Sequence, residues 1–252
     1  MMRLFGLLCV LSAASLTAAE PVTPVYELRI YTCEPGKLDA LHNRFRENTM
    51  RIFEKHGIKN VAYWTPADEP LSETTLVYLI KHASTEAAAK SWDAFRNDPE
   101  WKAVAKKSAE DHGKILAKAP EAIYLTATDF SPEVNLLSKD MVFELRTYTT
   151  EEGRLPALHK RFRDHTLNLL ARHGMTNLWY FTPQDEARHD NTLIYLLAHA
   201  DREAASASWK AFVTDPEWQA AARESEQDGK ILAKRPEVQF LKLTEYSPTG
   251  QK

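Results

Sequence analysis

Cysteine is almost missing from this chain: two in 252 residues, Cys9 and Cys33. Broad positive charge is missing too. Lysine and arginine number 32 against 35 aspartates and glutamates, for a net charge of −3. That balance gives no basic field for nucleic acid. There is also no long apolar run. The longest, residues 4–16, falls short of the ~20 residues a membrane span needs. It follows Arg3 and precedes Thr17-Ala18-Ala19, the pattern of a secretory leader cut after Ala19. Residues 1–19 are therefore expected to be removed. The mature protein is expected to be exported, periplasmic or secreted, with no stable membrane span after cleavage. Cys9 lies inside the apolar run and not at its end, which argues against a lipoprotein. Cleavage takes Arg3 and Cys9 away, moving the net charge from −3 to −4 and leaving Cys33 alone. A single cysteine forms no internal disulfide, so the fold has to be held by burial.

Several chemical signatures are absent as well. The chain has no Gly-x-Gly-x-x-Gly, no phosphate-loop Gly-Lys motif and no His-Glu-x-x-His. It has no Gly-x-Ser-x-Gly turn and no zinc-spaced cysteine or histidine pair. Dinucleotide, nucleoside-triphosphate, serine-hydrolase and structural-zinc readings lose support, and no metal site is expected.

What is present is a repeat. Residues 25–132 open VYELRIYTCEPGKLDALHNRFR and close ATDFSP, while residues 142–248 open VFELRTYTTEEGRLPALHKRFR and close LTEYSP. The offset is constant until a one-residue deletion near His112. So long a period matches a small domain and not a solenoid unit. Residues 133–141 form the linker. Cys33 has Thr150 as its counterpart, which argues against a shared catalytic cysteine.

Each copy shows one order of periodicities. Residues 25–32 alternate as a strand, and residues 37–56 carry Leu38, Leu41, Phe45, Ile52 and Phe53 at helical spacing. His56-Gly57 is suited to end that helix. Strands are predicted over residues 61–65, 75–82 and 121–128, with a helix over 85–96 that restarts at Asp98-Pro99. The order β-α-β-β-α-β is the ferredoxin-like arrangement, two helices on one face of a four-stranded antiparallel sheet. Two copies can cover their bare faces by meeting, as an eight-stranded sandwich or barrel. The fold class is therefore α+β: two tandem ferredoxin-like repeats packed sheet to sheet as an internal pseudo-dimer. A monomer or a weak homo-oligomer is expected. Tyr26, Leu28, Ile30, Val77 and Leu79 are predicted to pack on the helices, leaving the alternate residues for the barrel.

The motif Glu-Leu-Arg-x-Tyr followed by Gly-Lys/Arg resembles the NIPSNAP family, as does the segment SWDAFRNDPEW, repeated as SWKAFVTDPEW. The resemblance covers nearly all of both copies. It implies the dimeric α+β barrel superfamily, which includes small monooxygenases and haem-binding enzymes. NIPSNAP members themselves are described mostly as interaction or trafficking proteins.

The candidate site residues come in matched sets. Glu27, Arg29 and Tyr31 alternate on one strand face and return as Glu144, Arg146 and Tyr148. Tyr78 and His82 return as Tyr195 and His199. If these faces line the barrel, the arginines would bind an anion through paired hydrogen bonds, and the glutamates could act as bases. His82, His199, Tyr31 and Tyr148 are the candidate proton donors or acceptors. The competing reading is structural: Glu27 pairing Arg29, and His82 bonding backbone at a turn. Tyr63 and Trp64 either wall a pocket or fill the core. No cofactor is expected, with haem ligation by a histidine as a subsidiary possibility. Two functions follow: a pocket for a small apolar or aromatic anion, with or without monooxygenase-like chemistry, or a non-catalytic interaction module whose barrel is filled.

Overall fold

In a computed structural model of the protein, the described residues are 23–134 and 137–250. The leader reading of residues 1–19 lies outside them. The first repeat contributes strands β1 (Val25–Thr32), β2 (Lys59–Pro66), β3 (Thr75–His82) and β4 (Glu121–Ala127). The second contributes β5 (Val142–Thr149), β6 (Thr176–Pro183), β7 (Thr192–His199) and β8 (Glu237–Leu243). All pair antiparallel, and the eight close into one barrel in the order β1-β3-β2-β8-β5-β7-β6-β4. The seams between repeats are short. Trp64 to Pro66 of β2 meets β8, and Leu125 to Ala127 of β4 meets β6. Closure leaves neither sheet an open edge.

The helices lie outside. α1 (Leu38–Arg44) and α2 (Met50–Lys55) are joined through a π-helical turn, Phe45–Thr49, and the second repeat has α5 (Leu155–Arg161), α6 (Leu167–Arg172) and the turn Phe162–Thr166. The Thr49 hydroxyl donates to the Arg44 carbonyl at 3.1 Å, and Thr166 to Arg161 at 3.1 Å, satisfying carbonyls that the widened turn releases. Gly57 follows α2 with φ +75°, as the His-Gly pair predicts. α3 (Thr85–Asn97) and α4 (Pro99–His112) meet at Asp98, whose side chain accepts from the Glu100 amide at 2.7 Å. α7 (Arg202–Thr214) and α8 (Pro216–Ser225) repeat this with Asp215.

The described residues form three apolar clusters. The lumen holds Leu28, Ala62, Trp64, Val77, Leu79 and Leu125 from one repeat with Phe143, Leu145, Trp179, Phe181, Ile194 and Leu196 from the other. The other two clusters lie beneath the helices, one per repeat. Each large side chain so enclosed contributes about 1.5–3 kcal/mol.

The facing expected for the strands is reversed. Tyr26, Leu28, Ile30, Val77 and Leu79 face the lumen, not the helices. Tyr31, Tyr63 and Tyr78 pack in the cluster under the first repeat's helices, with Trp92 and Phe95. The lumen joins two symmetry-related faces, so a charged set placed there would meet its own like-charged copy. Under the helices each set meets partners from its own repeat.

Candidate functional site

Glu27 is fully buried, and its carboxylate is ringed by donors. Arg29 Nη1 reaches Oε1 at 2.5 Å. The indole N–H of Trp92 donates to Oε2 at 2.7 Å, and His82 Nε2 lies 3.0 Å from the same oxygen. The guanidinium of Arg29 stacks on Trp92 at 4.5 Å, with the Tyr31 ring at 5.5 Å. The second repeat builds the same unit. Glu144 accepts from Arg146 at 2.5 Å and Trp209 at 2.7 Å, with His199 Nε2 at 2.7 Å. Arg146 stacks on Trp209 at 4.1 Å.

Each unit joins β1 or β5 to a neighbouring strand and to the helix above. Strand alternation puts glutamate and arginine on one face, and antiparallel register brings the histidine beside them. Trp92 lies on α3, Trp209 on α7. Burial raises the glutamate pKa, but the His82 hydrogen bond, the Arg29 charge and the Trp92 donor outweigh it, so Glu27 titrates below its ordinary range. Glu144 does likewise, for the matching reasons. Both are ionised at neutral pH with their lone pairs engaged, and a carboxylate so held is a poor general base.

The units have a consequence for pH. A carboxylate with a lowered folded pKa stabilises fully above its unfolded value, about 4.3, and the contribution fades as pH falls through the folded pKa. The urea midpoint of the intact protein is expected to drop on acidification below that value. The Glu27→Gln/Glu144→Gln protein, which cannot titrate there, is expected to drop less. Parallel curves for the two proteins would contradict this.

The geometry brings Glu27, Arg29, Tyr31, Tyr78 and His82 together, and Glu144, Arg146, Tyr148, Tyr195 and His199 together. It does not bring the two sets to a shared interior, because the packed lumen separates them. His82 bonds a carboxylate and not the turn backbone. Its Nε2 is engaged and its ring packs near Trp92 and Tyr124, centroids 6.3 and 6.4 Å away, which does not fit an axial haem ligand. Among the described residues no group of three or more His, Cys, Asp or Glu is arranged to hold a metal. Within these two sets, the buried atoms without a hydrogen-bond partner among the described residues are Arg29 Nε, Arg146 Nε, the Tyr78 and Tyr195 hydroxyls, and the Nδ1 atoms of His82 and His199.

A cleft that the sequence reading missed opens at one barrel mouth, where β1 and β2 begin and β3 and β4 end. Its volume is about 830 Å³. The apolar wall includes Tyr26, Val61, Val134, Leu137 and Trp179. Lys59 and Lys81 stand opposite each other on β2 and β3, and Lys81 Nζ lies 5.1 Å from the Tyr26 ring centre. Glu133 is the acidic residue in the lining. The linker and the C-terminal segment run past this mouth, joined by the Leu137 amide donating to the Thr249 carbonyl at 3.3 Å. A signal was available: Lys59 and Lys81 interrupt faces that are otherwise apolar, and Thr176 and Ala198 replace them in the second copy.

The NIPSNAP family profile matches residues 26–132 and 143–248, both repeats. The chain belongs to the NIPSNAP family. No curated protein sequence matches it significantly. Among solved structures, a candidate monooxygenase from Lactobacillus acidophilus NCFM is 14% identical with a TM-score of 0.51, covering 91% of this chain and 100% of its own. A second candidate monooxygenase, from Fusobacterium nucleatum, is 10% identical with a TM-score of 0.56, covering 91% and 97%. A NIPSNAP family protein from Agrobacterium tumefaciens is 24% identical with a TM-score of 0.38; it covers 44% of this chain and 99% of its own. At these identities the first two likenesses establish the fold, a ferredoxin-like dimeric α+β barrel. This NIPSNAP chain supplies both halves of that barrel itself, which fits a monomer. Among the described residues no helix is long and apolar enough to cross a membrane.

Proposed function

We propose that the protein is a receptor for a small organic anion with an apolar or aromatic body, taken at the barrel mouth. One observation carries this reading. Lys59 and Lys81 are directly opposed across two strands, where like charges repel, and neither forms an ion pair among the described residues. A carboxylate between the two ammoniums would relieve that repulsion. Its apolar body would lie along Tyr26, Val61 and Trp179. The cleft's volume falls within the ~300–1,000 Å³ usual for ligand sites. The expected anion thus moves from the lumen to its rim, and from the arginines to the lysines. Monooxygenase-like chemistry is the narrower form of this reading, and the cleft's titratable groups for it are Lys59, Lys81, Tyr26 and Glu133. The receptor is proposed to be exported, on the strength of the leader-like residues 1–19.

The test exchanges the two lysines for their counterparts in the other repeat. Lys59→Thr/Lys81→Ala is expected to weaken 2-naphthoate binding at least about tenfold, corresponding to ~1.4 kcal/mol, with the urea midpoint unchanged. Quenching of tryptophan fluorescence reads it, since Trp179 lines the cleft. Equal affinity in the two proteins would overturn the proposal.

The packed lumen favours a second reading, an interaction module that works through its outer helices. It predicts that no organic carboxylate binds the intact protein at all.

A further inference from the structure

The helix layers of the two repeats are not alike. In the second repeat a cleft of about 190 Å³ runs between α5 and α8, with room for about six waters at ~30 Å³ each. Arg154, Lys160 and Arg161 line its α5 side, and Glu224, Ser225 and Asp228 its α8 side. Glu224 and Asp228 stand one turn apart, where like charges repel. Neither forms an ion pair among the described residues. The first repeat has no such repulsion. It carries Lys107 where the second has Glu224, and Lys107 Nζ pairs with Asp111, the counterpart of Asp228, at 2.8 Å. Ala221 also lines the cleft, and the first repeat has the larger Val104 there.

The opposite wall has donors to spare. The Arg161 side chain is 4% exposed. Its Nη1 donates to Ser225 Oγ at 3.3 Å, while Glu226 Oε1, 3.7 Å away, lies outside hydrogen-bonding range. Arg154 Nη2 donates to the Ser225 and Gly229 carbonyls, each at 2.9 Å, which leaves its Nη1 without a partner among the described residues. Lys160 faces Glu224 but is paired with Asp164. Cations and carboxylates therefore line one cleft without closing on each other.

We infer that this cleft binds a small zwitterion, a free α-amino acid with a short side chain. Its carboxylate is held by Arg154 and Arg161, because a guanidinium offers two parallel donors to one carboxylate. Its ammonium sits between Glu224 and Asp228 and relieves their repulsion. A simple anion would satisfy the α5 wall and leave that repulsion in place, and a simple cation would leave the arginines unanswered. The volume is below the ~300 Å³ at which usual ligand pockets begin, which restricts the side chain to a methyl group or little more. The site lies among the outer helices of the second repeat, apart from the barrel mouth, so neither proposal depends on the other.

Labelled L-alanine is the probe, in equilibrium dialysis against the intact protein at constant ionic strength. It is expected to bind saturably. Acetate and ethylammonium, which carry one pole each, are expected to displace it at least about tenfold less well than unlabelled alanine does, since each forgoes the charge-assisted bonds of one wall. Glu224→Lys installs the first repeat's residue, able to pair with Asp228 as Lys107 pairs with Asp111, and is expected to weaken alanine binding at least about tenfold with no fall in the urea midpoint. Ala221→Val installs the other difference and is expected to weaken binding by filling the cleft. Absence of alanine binding to the intact protein, acetate competing as well as alanine, or undiminished binding in Glu224→Lys would each overturn the inference. Loss of alanine binding in Lys59→Thr/Lys81→Ala would assign it to the mouth instead and overturn it equally.

Discussion

Replacing Glu27 with Ala is expected to lower the unfolding free energy by about 3–5 kcal/mol, the range for breaking a buried ion pair from one side. The substitution strips three donors at once. Arg29, whose side chain is 14% exposed, loses its counter-charge, and the Trp92 indole and His82 imidazole lose their acceptor. For a domain of this size each kcal/mol moves the melting temperature by about 2–4 °C, so the fall is expected at roughly 6–20 °C by circular dichroism. Glu144→Ala is expected to match it, since the second unit has the same partners and an Arg146 side chain 12% exposed. The two losses are expected to add, because the units stand on opposite sides of a packed lumen. A carboxylate kept only to act on a ligand would behave differently, and its removal would leave stability unchanged or improved. Glu27→Ala melting with the intact protein would therefore return Glu27 to the list of candidate bases.

That expectation also shows what could be read without coordinates. Element order was legible because each turn of the chain carries its own chemistry: Gly57 to stop a helix, Asp98-Pro99 to start one, alternation over residues 25–32. Having the pattern twice made the pseudo-dimer legible as well. The direction of the strand faces was not. β1 offers Tyr26, Leu28 and Ile30 on one side and Glu27, Arg29 and Tyr31 on the other, and hydropathy favours putting the first set under amphipathic helices. What decides the matter is partner supply. Glu27 needs three donors, and Trp92, His82 and Arg29 all come from its own repeat. In the lumen, it would have faced Glu144. The indole N–H groups of Trp92 and Trp209 were the overlooked signal, because a buried tryptophan usually finds an acceptor. The mouth lysines escaped notice for the opposite reason. They occur in one copy alone, with Thr176 and Ala198 at the matching positions, so the shared pattern carries no trace of them.

Separating the repeats should show why the chain carries unlike copies. The lumen contacts across the seam are complementary and not equal. Position 62 is alanine where its counterpart, position 179, is tryptophan, and Trp64 has Phe181 as its counterpart. Trp64 packs edge-on against Trp179 with ring centres 6.4 Å apart, and lies 5.9 Å from Phe143. Two first repeats would bring two Ala62 side chains together and leave a void, which costs about 24 cal/mol per Å³. Two second repeats would bring two Trp179 side chains together and overpack, at about 1–3 kcal/mol. Residues 23–136 and 137–250, expressed together as separate chains, are therefore expected to form a one-to-one complex with the circular dichroism of the intact protein. Expressed alone, each half would expose Leu28, Val77 and Leu79, or Leu145, Ile194 and Leu196, and is expected to self-associate or fail to fold. Light scattering coupled to size exclusion reads the outcome. A stable monomer of either half would mean that the lumen is not what holds the repeats together. Ala62→Trp in the intact chain carries the same argument to one residue: it is expected to destabilise by about 1–3 kcal/mol, because the space it would enter is already filled by Trp179.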